Sequence, residues 1–410
     1  MTGRLDQPAS AAAEEPPFLD LSDPAFSFRA APARAARERS WYARTPYGIA
    51  VLRYEEAREL LRDRRLGQGS KRWPEHNGVE SGPFRDWWHR TLINLTGEDH
   101  KRQRRILNPA FAPGLIDREA PMFVALANEL IDGFAGRGRC EFVAEFSQPY
   151  ATRVICNLIG LGDRDWEDLA LWTAEMGLAL GITIGPELER VEHGLGRLTE
   201  YAEAAIAARR AAGGPEDTVG ALIAATDAGM LSELELTEAM VNMFFGGVET
   251  TRNQLGIAVD LFAEHPDQWR LLGERPELAA AAVEEVMRMR PTTTWITREA
   301  LEDLEYEGVA ITRGTTIHLV AAVAGTDPRT FGADQEFDIA RERPKQFGFG
   351  GGAHHCLGHF LARRDMTEAL ALLARRLPGM EADGEARWLP DTGNTGPLAL
   401  PLRFAAEPAR

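Results

Sequence analysis

The sequence is short of cysteine, of positive charge and of long apolar runs, and each shortage excludes a class of protein. Three cysteines, Cys140, Cys156 and Cys356, are spread over 410 residues. So odd and sparse a set cannot build a disulfide scaffold and suits a reducing compartment. Lysine and arginine number 46 against 62 aspartates and glutamates, a formal charge of −16. Nucleic-acid binding needs a basic face for phosphates, and anionic membranes attract basic segments, so both partners are disfavoured. No apolar run approaches the roughly 18 residues of a membrane span. Residues 9–17 are small, acidic and proline-containing. They lack the apolar stretch of a secretory signal and are too acidic for a transit peptide. The expectation is an acidic cytoplasmic protein with no membrane or nucleic-acid partner.

What is present is mostly helical patterning. Apolar residues recur at helical spacing over 54–65, 98–108, 118–134, 142–160, 164–181, 187–211, 217–227, 234–264, 266–272, 276–289 and 357–376. Pro266 and Pro276 suit first-turn positions, where a missing N–H costs little. Strand signals are confined to 48–52 and to 296–301, 309–311 and 315–320. Residues 325–350 are rich in Gly, Pro, Asp and Phe without periodicity, and so long a coil is usually functional. Length alone allows two or three domains. No repeat or long linker divides the chain, however, and the 211–217 stretch reads as a loop between helices. The expectation is a loose tail at 1–17 and a single domain at 18–410, mainly α with a minor β region.

Chemistry concentrates at Phe347-Gly348-Phe349-Gly350-Gly351-Gly352-Ala353-His354-His355-Cys356-Leu357-Gly358. Here a glycine-rich loop presents one cysteine at the start of a helix. Gly350 and Gly352 carry no side chains to keep backbone N–H groups from the sulfur. The positive end of the following helix favours thiolate over thiol. A thiolate can serve as nucleophile, zinc ligand or haem-iron ligand. A buried inert cysteine has no need of so many glycines. Zinc would use His354, His355, Cys356 and His359, but the adjacent histidines diverge and no second Cys-x-x-Cys pair exists. A nucleophile would need a base and an orienting Asn or Asp.

The segment resembles the haem-binding loop of the cytochrome P-450 family, Phe-Gly-x-Gly-x-His-x-Cys-x-Gly. It matches at Phe349, Gly350, Gly352, His354, Cys356 and Gly358. The resemblance implies haem b (iron protoporphyrin IX) with Cys356 as the iron's thiolate ligand, the ligation known for this family. It also implies that Phe349 packs on the loop and that Gly358 lets the next helix lie close to the haem. Other family elements follow in order over roughly residues 40–405. Glu285 and Arg288, three apart on one helix face, match the Glu-x-x-Arg helix. The family often has an arginine before the Phe of the proximal coil. Here Glu336 precedes Phe337, leaving Arg341 or Arg343 to supply that charge. Gly246-Gly247-Val248-Glu249-Thr250-Thr251 interrupts a long apolar helix and resembles the oxygen-binding groove. Gly246 and Gly247 would make room beside the haem, while Glu249 and Thr250 would relay protons. This acid–alcohol pair favours an oxygen- and electron-dependent monooxygenase over a peroxide-driven one. His100 and Arg104, with Arg298 and His354, resemble the propionate partners.

The resemblance implies a monooxygenase that inserts one atom of O2 into a mostly apolar small organic substrate. With no flavin or Fe–S signature in the chain, electrons would come from a ferredoxin and ferredoxin reductase. Lys101, Arg102, Arg105, Arg363 and Arg364 are the candidate docking cations, and a monomer is expected. The family's pocket segments supply Phe84, Trp87, Trp88, Leu92 and Ile93, then Leu180, Phe244 and Val248. They also supply Thr294, Trp295 and Ile296, then Asn394 and Thr395. Two other readings are a haem sensor or carrier without turnover, and a zinc or cysteine hydrolase centred on Cys356. Cys140 and Cys156 read as packing residues.

Overall fold

Apolar residues three and four apart, bounded by caps and prolines, dictate a mainly helical chain. The computed structural model describes residues 15–23, 25–182, 184–213, 217–333, 336–391 and 393–407. Residues 1–14 of the expected tail and 214–216 of the expected loop lie outside the described residues. The longer helices are α1 (Ala31–Arg39), α2 (Pro83–Arg90), α3 (Gly97–Leu107), α4 (Pro113–Asp132), α5 (Gln148–Leu158) and α6 (Trp166–Gly177). They continue as α7 (Ile184–Ala212), α8 (Thr218–Asp227), α9 (Glu233–Glu264), α10 (Pro266–Glu274), α11 (Ala279–Met289) and α12 (His359–Arg376). Among the described residues, no helix is long and apolar enough to cross a membrane.

The main sheet is built from β1 (Tyr42–Thr45), β2 (Gly48–Val51), β3 (Leu66–Gln68), β4 (Ile296–Ala300) and β5 (Thr316–Leu319). Its order is β1-β2-β5-β4-β3, with only the β2–β5 pair parallel. The sheet therefore joins N-terminal strands to the later β region. Short strands at Arg139–Glu141, Glu381–Ala382 and Pro401–Arg403 form a separate sheet. Two or three residues each are too few to show an alternation in sequence.

Helix boundaries shift where prolines and caps act. Pro276 opens only a short turn, and α11 begins at Ala279. The expected 54–65 helix stops at Leu60. α9 starts at a reciprocal cap, in which Ser232 Oγ accepts from the Glu235 N–H at 3.2 Å and the Glu235 carboxylate accepts from the Ser232 N–H at 2.9 Å. α9 then runs buried for most of its length against α5, α6 and α7. Burying one of its phenylalanines, such as Phe244 or Phe262, contributes about 1.5–3 kcal/mol.

α11 carries the Glu285–Arg288 pair. Both carboxylate oxygens accept from Arg288 at 2.7 Å, and the guanidinium also donates to the Gly325 carbonyl at 2.7 Å. Arg343 lies 3.6 Å from Glu285 and donates to the Glu336 carbonyl at 2.8 Å. Arg343 thus brings a second cation to the carboxylate, in the neighbourhood where position 336 itself supplies none.

Candidate functional site

The Cys356 loop is shaped by backbone angles. Gly350 and Gly352 have φ of 66° and 69°, the left-handed region that favours glycine. The Cys356 N–H donates to the Phe349 carbonyl at 3.0 Å and closes the loop. Of the N–H groups expected to serve the sulfur, it is Gly358 that does so, from the helix side. Gly350 and Gly352 are needed for their φ. Burial raises the Cys356 thiol, opposed by that N–H and by the Arg104 and Arg363 charges. Burial and the charged groups around the sulfur thus act in opposite directions on Cys356, which is partly exposed to the cavity. The Arg363 guanidinium lies 4.3 Å over the Phe349 ring.

Cys356 faces a cavity of about 400 Å³ enclosed by α9, α3, the 292–298 segment and the 347–358 loop. His100 is buried on α3, and its ring stacks on His354 at 4.0 Å. Burial lowers both histidines, His354 to about 3. Arg104 lines the same cavity, and burial lowers its pKa. Among the described residues it forms no ion pair. Arg298 on β4 is 6% exposed. It donates to Gln68 Oε1 at 3.2 Å and to the carbonyls of Thr297 at 3.0 Å and Gly351 at 3.1 Å, without an acid. Burial pushes it down to about 10. Two cations are thus held in a cavity that offers them no carboxylate.

On α9 the cavity face follows helical spacing through Met243, Gly246, Thr250 and Gln254. A Cβ added at Gly246 would meet nothing within 4 Å, whereas one at Gly247 would come within 2.5 Å of Ile155 Cδ1. Gly246 opens the cavity, and Gly247 lets α9 approach α5. Thr250 Oγ1 donates to the Gly246 carbonyl at 2.8 Å. Glu249 points elsewhere. It is 2% exposed, pairs with Arg252 at 2.9 Å and leaves Oε1 without a partner. Burial raises its carboxyl, opposed by Arg252.

Trp88, Leu92, Ile93, Leu180, Trp295, Ile296 and Asn394 reach the cavity as expected. Phe84, Trp87, Phe244, Val248, Thr294 and Thr395 do not. Phe244 and Val248 lie on the far face of α9, where Phe244 meets Tyr201. Trp87 packs its edge on Phe245. Thr294 is tied to the Gly393 carbonyl, and Thr395 is buried beside Thr292. Sequence reasoning missed Gln254, which extending the α9 stripe by one turn would have found, and Gln68 and Ser70, which carried no local signal.

The expected basic patch is largely paired with acids. Lys101 pairs with Glu98, Arg102 with Glu235, Arg363 with Glu284 and Arg364 with Asp117 and Glu368. Arg102 holds the Glu235 carboxyl down to about 2. Arg105 alone of the five has no ion pair among the described residues. No group of three or more His, Cys, Asp or Glu among the described residues could hold a metal ion, so the histidines around Cys356 do not form a zinc set. Cys140 and Cys156 are buried, and burial pushes each up to about 12.

Comparison with known proteins gives one answer. The family model described as cytochrome P450 matches residues 182–396. Luteothin monooxygenase of Streptomyces thioluteus is 41% identical over 394 residues, 95% of this chain and 96% of that one. Mycinamicin IV hydroxylase/epoxidase of Micromonospora griseorubida is 31% identical, covering 88% of this chain and 91% of its own. The crystal structure of CalO2 superposes with a TM-score of 0.84 at 30% identity, over 94% of this chain and all of that one.

Proposed function

Because the chain belongs to the cytochrome P450 family and is a haem-thiolate monooxygenase, we propose that it inserts one atom of O2 into a mostly apolar small organic molecule held beside Thr250. The observation that carries this reading is the arrangement of one thiol and two acid-free guanidinium groups around a single, largely apolar cavity. Haem b, whose two propionates are the anions this cavity lacks, fits that set. Arg104 and Arg298 would pair with them, with His100 and His354 as further donors. Cys356 Sγ would ligate the iron, supported by the Gly358 N–H. When bound, the haem supplies the iron at which dioxygen is reduced and activated.

The chain's own residues bind, shield and move protons. Gly246 leaves open space in the wall next to Thr250. Thr250 holds its proton on Oγ1 against the Gly246 carbonyl, and rotation of the hydroxyl turns that proton toward the cavity. Glu249 is a reserve behind the helix. Burial favours its protonated form, and exchange with Thr250 requires release from Arg252. Leu92, Trp295 and Ile296 exclude water and favour an apolar substrate. The names of relatives that act on luteothin and mycinamicin IV support a small organic molecule. Electrons are assigned to a separate ferredoxin and ferredoxin reductase. The working unit is residues 18–410, a monomer in the cytoplasm. Pairing of Pro401–Arg403 with Arg139–Glu141 supports one unit.

The test is a ligand-induced spectral-shift screen followed by turnover of the hit under 18O2 with a ferredoxin pair. One labelled oxygen per product is expected, and Thr250→Ala should consume more reductant per product. Unlabelled product, or unchanged coupling in Thr250→Ala, contradicts the assignment.

A further inference from the structure

Arg298 belongs to a hydrogen-bond chain that leads out of the cation set and into the cavity's α2 wall. Gln68 and Arg298 face each other in the β3–β4 register, so their side chains share one face of the sheet. A guanidinium can only donate, which fixes the Gln68 atom facing it as the carbonyl oxygen, at 3.2 Å. The Gln68 amide nitrogen then donates to Ser70 Oγ at 2.8 Å. Ser70 accepts there, so its single proton goes to Asn94 Oδ1 at 2.6 Å. The Asn94 nitrogen is left to donate to the Trp88 carbonyl at 2.8 Å. The Trp88 indole N–H returns to the Ser70 carbonyl at 2.8 Å, closing the chain on α2.

Every orientation is forced by the one before it, so the chain has a single polarity and cannot adapt by flipping an amide. Arg298, Gln68, Ser70 and Trp88 all line the cavity, while Asn94 is 2% exposed. The far end of α2 is held separately, because the Phe84 N–H donates to Glu192 of α7 at 3.3 Å. The Trp88 end is tied to α9 as well, where Arg90 donates to Glu238 Oε1 at 2.8 Å, and the chain from Arg298 is the tie that links this end to the cation set.

We propose that Gln68 and Ser70 are positioning residues that couple the seating of α2 over the cavity to the orientation of the Arg298 guanidinium. The inference rests on the haem reading in one respect, that Arg298 pairs with a haem carboxylate. A substrate that displaces Trp88 then pulls on a haem partner, and anchoring Arg298 on its carboxylate stiffens α2.

The test is a double-mutant cycle on the haem-loaded protein with Ser70→Ala and Arg298→Lys. It is read as haem transfer to excess apomyoglobin and as amide hydrogen exchange over residues 83–94. Ser70→Ala should speed both about five- to tenfold, and Ser70→Thr, which keeps the hydroxyl, should stay within about twofold of the parent. Gln68→Leu breaks the chain at its other joint and should reproduce Ser70→Ala; it carries the cycle if Ser70→Ala fails to fold. Combined with Arg298→Lys, either chain-breaking variant should add nothing further to exchange in α2. Multiplicative effects would overturn the proposal. So would faster α2 exchange with haem transfer unchanged, which would make Ser70 a packing residue only. Failure of the haem reading is distinguishable, because the parent protein itself would then take up no haem.

Discussion

Arg288 and Arg298 are both almost fully buried, at 1% and 6% exposure, yet their surroundings are opposite. Arg288 is closed on all sides. Glu285 grips it through both oxygens, the Gly325 carbonyl takes another donor, and the Phe331 ring lies 4.9 Å from the guanidinium carbon. Arg298 has three neutral acceptors and no acid. A buried charge without a counter-charge is costly and is tolerated where something else supplies the partner. The contrast separates a cation that holds the fold from one that the proposed haem site assigns to a propionate, and Arg104, with no ion pair among the described residues, goes with the second in that proposal.

Removing each cation should therefore have opposite consequences. Arg288→Ala leaves Glu285 buried with Arg343 as its remaining cation and the Asp338 N–H as its remaining close donor, which should cost about 3–5 kcal/mol and abolish accumulation of loaded protein. A denaturant midpoint equal to the parent's would break the comparison. Arg298→Met should leave the haem-free protein as stable as the parent, or more so, because it removes an uncompensated charge. In the loaded protein the same change should speed haem transfer to apomyoglobin about ten- to a hundredfold, the range for a hydrogen bond to a charged group. If Arg298→Met destabilises the haem-free protein as much as Arg288→Ala does, the two arginines are of one kind.

Histidine provides a third case, a buried base that can escape its charge by losing a proton. Burial pushes His318 and His354 down to about 3 from the usual 6.5. The unfolded chain then takes up these protons first as pH falls. Stability of the haem-free protein should be intact above about pH 6.5 and decline from there toward pH 3. His318→Phe should flatten denaturant midpoints measured between pH 7 and 4, and an unchanged slope would remove His318 from the account. The smallest effect is expected at the surface. Arg105→Gln should weaken binding of an acidic ferredoxin about two- to fivefold and reduce its salt dependence. An unchanged affinity would place the docking surface away from α3.

How much of this was legible depends on how far apart the contributing residues lie. The Cys356 loop was readable because its glycines, histidine and cysteine are contiguous and their backbone demands are local. Thr250 and Gly246 were readable from their oddity within an apolar helix, but the direction of Glu249 was not. One residue along a helix is a rotation of about 100°, enough to place Thr250 on the cavity and its neighbour behind it. The same rotation separates Trp88 from Trp87 on α2. That helix is too short for its period to show, and the sequence pattern passed over it. Gln68 and Ser70 were invisible, because their importance comes from a strand register that pairs residues 68 and 298.

The central claim, that Cys356 is the haem's thiolate ligand in an enzyme rather than a packing cysteine, is most directly tested by the reduced, carbon monoxide-bound absorption spectrum of the purified protein. The parent should show the red-shifted Soret band of thiolate ligation, and Cys356→His should lose it with haem still bound. A colourless parent expressed with adequate haem, or a thiolate-type band that persists in Cys356→His, would contradict it.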